Sequence, residues 1–127
     1  MNPKIYQKLA FRTESPRKPD LSDSRVSRLL HSCQGFSTET GEFADVVKRW
    51  VFYGQPLDEI TAKEELGDLL WYIAMACNAL GLQMGDVMEA NIAKLKNRFP
   101  EKFTEQDALE ISRDRQAERD IVRDSTI

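Results

Sequence analysis

Glu39 and Glu42 in ETGE, with Glu65 and Asp68 in EELGD, are the residues of this sequence best suited to chemistry. Each pair is spaced i, i+3, which puts both carboxylates on one face of a helix. Two such helices facing each other bring four carboxylates into one small volume. Four like charges repel there unless a cation balances them. Carboxylate oxygens are hard ligands that suit Mg²⁺ or Mn²⁺, and Mg²⁺ is commonly held beside substrate phosphates. The two pairs therefore point to metal-assisted phosphate chemistry.

The elements that must position these pairs read as helices, and no strand-like alternation of useful length interrupts them. Asn2-Pro3 is a helix cap and first helical residue, followed by the apolar stripe Ile5, Tyr6, Leu9, Ala10. The stretch 12–20 holds two prolines and reads as a loop. Ser22 or Ser24 caps a second helix with the stripe Val26, Leu29, Leu30, Cys33. Gly35 is expected to loosen or bend that helix, which resumes through Phe43, Val46, Val47 and Trp50 until Tyr53-Gly54-Gln55-Pro56 stops it. Asp58 or Thr61 opens the next helix, whose buried side is expected to be Leu66, Leu69, Leu70, Ile73, Ala74, Cys77 and Leu80; Gly81 ends it. Residues 84–98 form another helix, stopped by Phe99-Pro100. Thr104 then caps a polar C-terminal helix or a pair of short turns, with Ala108, Ile111 and Ile121 as sparse apolar positions. The fold class is all-α, with residues 1–127 forming one domain.

Either acidic pair alone is ordinarily a solvated helix face. Here each adjoins apolar residues, Phe43, Ala44, Val46 and Val47 after the first and 69–77 after the second. Gly41 and Gly67 each lie inside a pair. Glycine costs roughly 1 kcal/mol in a helix interior. Two such costs at matching places imply close backbone packing or room for a ligand. The segment 69–77 is apolar almost all the way round, so it needs neighbours on every side. A central core helix would meet that need. A chain with so few helices is better served by a homodimer interface, which is the reading adopted.

A net charge of −3 argues against a nucleic-acid backbone as the main partner, while a local metal site keeps a small anion open. The two cysteines, Cys33 and Cys77, form no CxxC, which speaks against a disulfide scaffold or a zinc site. The N-terminal stretch lacks an apolar core of signal-peptide length, and 69–77 is too short to span a bilayer. The expectation is a soluble cytoplasmic protein with no membrane partner.

Taken together, ETGEFADVVK, EELGDLLWYIAMACNALG and NIAKLKNRFPEKF resemble the MazG-like all-α nucleoside triphosphate pyrophosphohydrolases, a superfamily that also holds dimeric dUTPases and dCTP pyrophosphatases. The shared pattern is ExxE, a spacer, ExxD, and then a helix with Asn and Lys. It covers about 24–103, and RDRQAER further on looks similar too. Residues 104–127 then form a polar helical C-terminal extension. Thr40 stands where a small residue such as Ala is usual.

The resemblance implies a helical bundle completed by homo-oligomerisation, as a dimer or tetramer. It implies cleavage of a nucleoside triphosphate to the monophosphate and pyrophosphate. Glu39, Glu42, Glu65 and Asp68 would hold Mg²⁺, for which Mn²⁺ can substitute, and the ion would activate the attacking water. One glutamate, Glu42 among them, would act as general base. Asn91 and Lys94 share a helix face that Arg98 extends; they would contact phosphates, the plain alternative being a basic helix C-terminus suited to the dipole. Lys48, two turns beyond Glu42, is a further phosphate candidate. His31, two turns before Glu39, is either a nucleotide contact or a packing residue. Tyr72 continues the Glu65–Asp68 stripe and either stacks on a base or packs in the core. Trp50 and Trp71 read as core or interface residues. Such an enzyme would control or clean the nucleotide pool, a role that also suits a phage-type pathway. The competing class is a non-catalytic helical dimer that binds nucleotides or a protein, for which keeping all four carboxylates serves no purpose. The preferred base and sugar are not legible.

Overall fold

The computed structural model describes residues 1–16, 19–109 and 113–124. The elements are α1 (Pro3–Ala10), a 3₁₀ turn (Phe11–Thr13), α2 (Ser24–Tyr53), α3 (Glu59–Leu80), α4 (Met84–Arg98), α5 (Glu105–Ala108) and α6 (Arg115–Asp124). The described residues contain no strand, as the all-α reading requires.

The framework is a helical hairpin. α2 and α3 share the most extensive packing in the chain, α6 lies on α4, and α4 touches α3 over a small area. Local chemistry sets the hairpin's corners. Asp23 caps α2 by accepting the Arg25 N–H at 2.7 Å, so the cap falls between the two serines expected there, and Ser24 is the first helical residue. Gly54 ends α2 in the left-handed region at φ 65°, where a side chain would be strained. Asp58 opens α3, accepting the Thr61 N–H at 3.0 Å and its hydroxyl at 2.9 Å. Gly81 closes α3 at φ 72°.

Gly35 does not interrupt α2, which runs unbroken for 30 residues. Its missing side chain serves the neighbouring helix instead. A Cβ there would sit 2.3 Å from Tyr72 Cε1, so the ring fills the space. Gly41 and Gly67 differ: a Cβ on either would meet nothing within 4 Å, which sets aside close backbone packing at those two positions.

The expected buried side of α3 is mostly uncovered. Among the described residues Val46, Cys77 and Ala90 are the buried apolar side chains. Leu66, Leu70 and Leu80 are exposed, and Leu69, Ile73 and Ala74 are half-buried. The cause is geometric: α2 covers one side of α3, and α4 adds little. Leu70 and Trp71 remain 53 % and 56 % exposed.

At the C-terminal end, Thr104 caps the four-residue α5 and the ten-residue α6 follows, where the sequence left a polar helix or a pair of short turns open. Ile121 is half-buried, while Ile111 lies outside the described residues. No helix among the described residues is long and apolar enough to cross a membrane. Cys33 and Cys77 are both free.

Candidate metal centre between the two long helices

The hairpin brings the two acidic pairs together. Glu39 and Glu42 come from α2 and Glu65 from α3, and one carboxylate oxygen of each lies within 4.8 Å of the others. Glu65 is buried, Glu39 half-buried and Glu42 exposed, so the cluster runs from the seam out to solvent. Asp68 stands outside this tight group, yet its charge still acts on Glu65. The Thr38 hydroxyl lies 3.1 Å from Glu39 Oε1 and 3.1 Å from the Gly35 carbonyl oxygen.

Electrostatics single out Glu65. Burial pushes its carboxyl above the ordinary glutamate value. The Glu42 charge, a hydrogen bond shared with Glu39, and the charges of Glu39 and Asp68 push the same way. Asp45 shows the opposite behaviour. It pairs with Lys48 and accepts from Arg49 Nε at 2.6 Å, and those two partners hold its carboxyl below the ordinary aspartate range.

The cluster opens into a cleft of about 540 Å³ lined by Thr38, Glu42, Asp45, Arg49, Asp58 and Glu65, among others. Asp45 and Arg49 are not site candidates on sequence, and Asp58 and Thr61 read there only as helix starts. For Asp45 a signal existed, because it extends the Glu39–Glu42 spacing by another three positions. Arg49 is the cation of the cleft lining, and it is paired with Asp45.

The donor set fits a hard divalent cation. It is all carboxylate oxygen, its members converge, and its buried member is strained by like charge. A cation held by Glu39, Glu42 and Glu65, with Asp68 near, would relieve that repulsion.

The remaining candidates lie elsewhere. His31 is exposed and meets the rings of Trp71 and Tyr72 edge-on, at centroid distances of 6.3 and 5.5 Å. Tyr72 packs into the α2–α3 seam against Gly35 and Phe36, which fits packing over a stacking platform. Lys48 pairs with Asp45 and lies 5.9 Å above the Tyr53 ring. Asn91 and Lys94 line a second groove, of about 540 Å³, with Leu70, Ile73, Met84 and Val87. Arg98 is engaged with the C-terminal segment. Its Nη2 donates to the Ala108 carbonyl at 2.9 Å, and its guanidinium covers the Phe99 ring. Within one chain, none of Asn91, Lys94 or Arg98 lines the acidic cleft.

Residues 30–103 match the MazG nucleotide pyrophosphohydrolase domain. The chain is also similar to the Gene 37 protein of Mycobacterium phage L5, at 30 % identity over 105 residues, covering 77 % of this chain and 89 % of the phage protein. No solved structure matches. The matched stretch spans both acidic pairs, the seam between them and the whole of α4, and on that ground the chain belongs to the MazG nucleotide pyrophosphohydrolase family.

Proposed function

We propose that the α2–α3 cleft hydrolyses a nucleoside triphosphate between its α and β phosphates, with Mg²⁺ as the resident ion and Mn²⁺ as a working substitute. The observation that carries this reading is the convergence of Glu39, Glu42 and Glu65 within 4.8 Å, with Glu65 buried. Family membership supports a nucleotide substrate. The same family membership supports a role in reshaping or cleaning a nucleotide pool, and likeness to a phage protein suits a phage-type pathway.

Glu39, Glu42 and Glu65 would hold the ion, and Asp68 would add charge at its edge. The ion would supply charge neutralisation at the phosphates and a more acidic water. The chain's own residues do the rest. Glu42 is exposed and lines the cleft, so it takes the proton of the attacking water. The oxygen of that water bonds to the α phosphorus as the bond to the bridging oxygen breaks. Pyrophosphate leaves with the electron pair of that bond. Glu65 is buried in the seam, on the side of the cluster away from solvent, so it serves the ion rather than the water that enters from the cleft.

The working unit is a homodimer or a larger homo-oligomer in this reading. A compact monomer of 14.6 kDa exposes roughly 6,900 Å² by the usual surface scaling. This chain exposes 10594 Å². The excess, about 3,700 Å² per chain, comes to roughly 7,400 Å² for two chains, above what obligate dimers commonly bury, so it leaves room for a larger homo-oligomer as well as a dimer. Asn91 and Lys94, which do not line the cleft of their own chain, would then meet substrate from a second subunit.

Phosphorus NMR on a panel of nucleoside triphosphates tests the reaction. Monophosphate and pyrophosphate are expected with Mg²⁺ and with Mn²⁺, and no turnover in chelator. Diphosphate with orthophosphate, or full activity in chelator, would overturn the mechanism. Nucleotide binding without turnover under every metal would leave the non-catalytic helical dimer as the better reading.

A further inference from the structure

α1 is well formed yet uncovered. Asn2 caps it by accepting the Lys4 N–H at 2.9 Å, and Pro3 opens it. Its substantial packing is against the 3₁₀ turn that continues it, and every residue of 1–16 is exposed. A helix this short is marginal in water by itself, because nucleation costs more than its few hydrogen bonds return. Ile5 and Leu9, one turn apart with Tyr6 beside them, give it an apolar face, and Phe11 follows at 72 % exposure. Lys4, Lys8 and Arg12 run along another face, and 1–13 contains no acidic residue. Such a helix fits a surface that is both apolar and acidic.

The tip of the α2–α3 hairpin is a surface of that kind. Trp50, Val51, Phe52 and Ile60 ring it, all exposed, with Phe52 at 77 %. Asp58 and Glu59 lie among them, and 50–60 contains no Lys or Arg. The two cations just before it, Lys48 and Arg49, are both paired with Asp45. α1 and the tip are therefore opposite in charge and alike in their uncovered apolar surface.

Distance decides which copy provides the tip. Trp50 and Phe52 stand about 39 and 42 Å along the α2 axis from Ser24. The chain from Thr13 to Ser24, about 11 residues, reaches at most roughly 40 Å when drawn straight. A turn in which the Asp23 N–H donates to the Asp20 carbonyl at 3.2 Å shortens that reach. A relaxed linker of this length spans nearer to about 20 Å. α1 thus meets its own tip only with the linker pulled taut along the whole of α2. Two hairpins paired antiparallel about a twofold axis put the start of α2 in one subunit beside the tip of the other.

We propose that α1 is an exchanged arm, whose Ile5–Leu9 face docks on the hairpin tip of a second copy of this chain, with Lys4, Lys8 and Arg12 beside Asp58 and Glu59. The arm lies outside the stretch 30–103 that matches the family. It shares with the oligomer proposed above the need for a second subunit, and it is independent of the reaction. A helix of 8 residues covers too little surface to hold two chains alone, so the arm clamps an assembly joined elsewhere.

Hydrogen exchange and photo-crosslinking of the full chain test the docking. Amides of 6–11 should be protected in the oligomer and should lose that protection on dilution to single chains. Ile5→Asp/Leu9→Asp on the arm and Trp50→Asp/Phe52→Asp on the tip should each abolish the protection and raise the dissociation constant of the oligomer at least tenfold. All four side chains are exposed in the single chain, so neither variant strikes the fold. An aromatic photoreactive residue in place of Tyr6, in chains mixed with an excess of isotopically heavy chains lacking it, should attach to heavy peptides from 50–60. Attachment to light peptides alone means docking within one chain and overturns the exchange. Protection that appears only with anionic vesicles assigns α1 to a membrane surface and overturns it as well. An oligomer whose α1 exchanges freely overturns the arm and leaves the oligomer standing, whereas a monomer overturns both.

Discussion

The ring of Tyr72 occupies the position where a side chain at Gly35 would begin, with Cε1 2.3 Å from that point. This contact locks α2 to α3 one turn before Glu39 on one helix and two turns beyond Glu65 on the other. The aromatic seam therefore sets how closely the acidic cluster converges.

Gly35→Ala should drive the ring out of the seam. Overpacking of this kind costs about 1–3 kcal/mol. Alanine returns roughly 1 kcal/mol of helix propensity. The net expectation is a loss of up to about 2 kcal/mol, with weaker metal affinity because the two helices part. Thermal melts and Mn²⁺ titration measure the two effects. A melting temperature above wild type, or unchanged Mn²⁺ affinity, would refute the locking role.

Glu65→Gln should abolish most activity and stabilise the metal-free protein. The sign follows from the carboxyl's raised position above its ordinary value of 4.5. The folded state then binds that proton more tightly than the unfolded chain does. The charge on Glu65 therefore weakens the fold progressively as pH rises from the unfolded value through the raised folded one. Below that window the group is protonated in both states and the penalty is absent. In chelator, the variant should melt above wild type near neutrality, and the two should converge as pH falls below the ordinary glutamate value. A variant that melts below wild type at neutral pH would contradict the clustering, and a fully active variant would remove Glu65 from the site.

Divalent ions should raise the melting temperature of wild type, since a ligand bound only by the folded state stabilises it. The rise should shrink in Glu39→Gln and in Glu65→Gln, and be affected less in Asp68→Asn, because Asp68 stands outside the tight cluster. Equal losses in all three variants would place Asp68 among the principal ligands. No rise with any divalent ion in wild type would remove the metal centre.

Much of this arrangement was legible before any fold was known. The acidic pairs and the helix ends are local features, governed by spacing of three and four residues and by Gly, Pro and Asp at the corners. Asp23 in place of its serine neighbours shifted a boundary by one position and no more. The Gly35–Tyr72 contact was not legible, because it depends on the register between two helices, which no local pattern encodes. The same holds for Tyr72 itself, whose stripe with Glu65 suggested two roles until its neighbours across the seam were visible. Apolar periodicity marked the faces of α3 correctly as apolar. It could not say that one chain leaves Leu66, Leu70 and Leu80 uncovered, because a pattern records what must be buried and not which chain buries it.

Glu118→Gln should loosen the docking of α6. The Glu118 carboxyl lies below its ordinary value because Arg113 holds it ionised. Its contribution is thus complete above the ordinary glutamate value and fades as pH falls through the lowered folded one. Hydrogen exchange across 115–124 should speed up in the variant at neutral pH, and in wild type only at acid pH. Wild-type protection in the variant would show that apolar contacts, such as those of Val122, hold the helix without the pair.

The protein should sediment as two chains or more, and Leu70→Glu should reduce it to one. Leu70 and Trp71 are more than half exposed on the most apolar helix of the chain, and the total surface exceeds that of a compact monomer by about 3,700 Å². The apolar part of that surface contributes on the order of 25 cal/mol for each Å² removed from water, and a second copy can cover it symmetrically. A glutamate at position 70 would be desolvated without a partner at such an interface, yet it would be harmless if that face met solvent. Sedimentation velocity at micromolar concentration, with circular dichroism to confirm helix content, separates the cases. A monomeric wild type would refute the dimer and with it any substrate contact by Asn91 or Lys94 from a second chain. A variant that stays dimeric would move the interface to another apolar face, of which α2 offers Trp50, Val51 and Phe52.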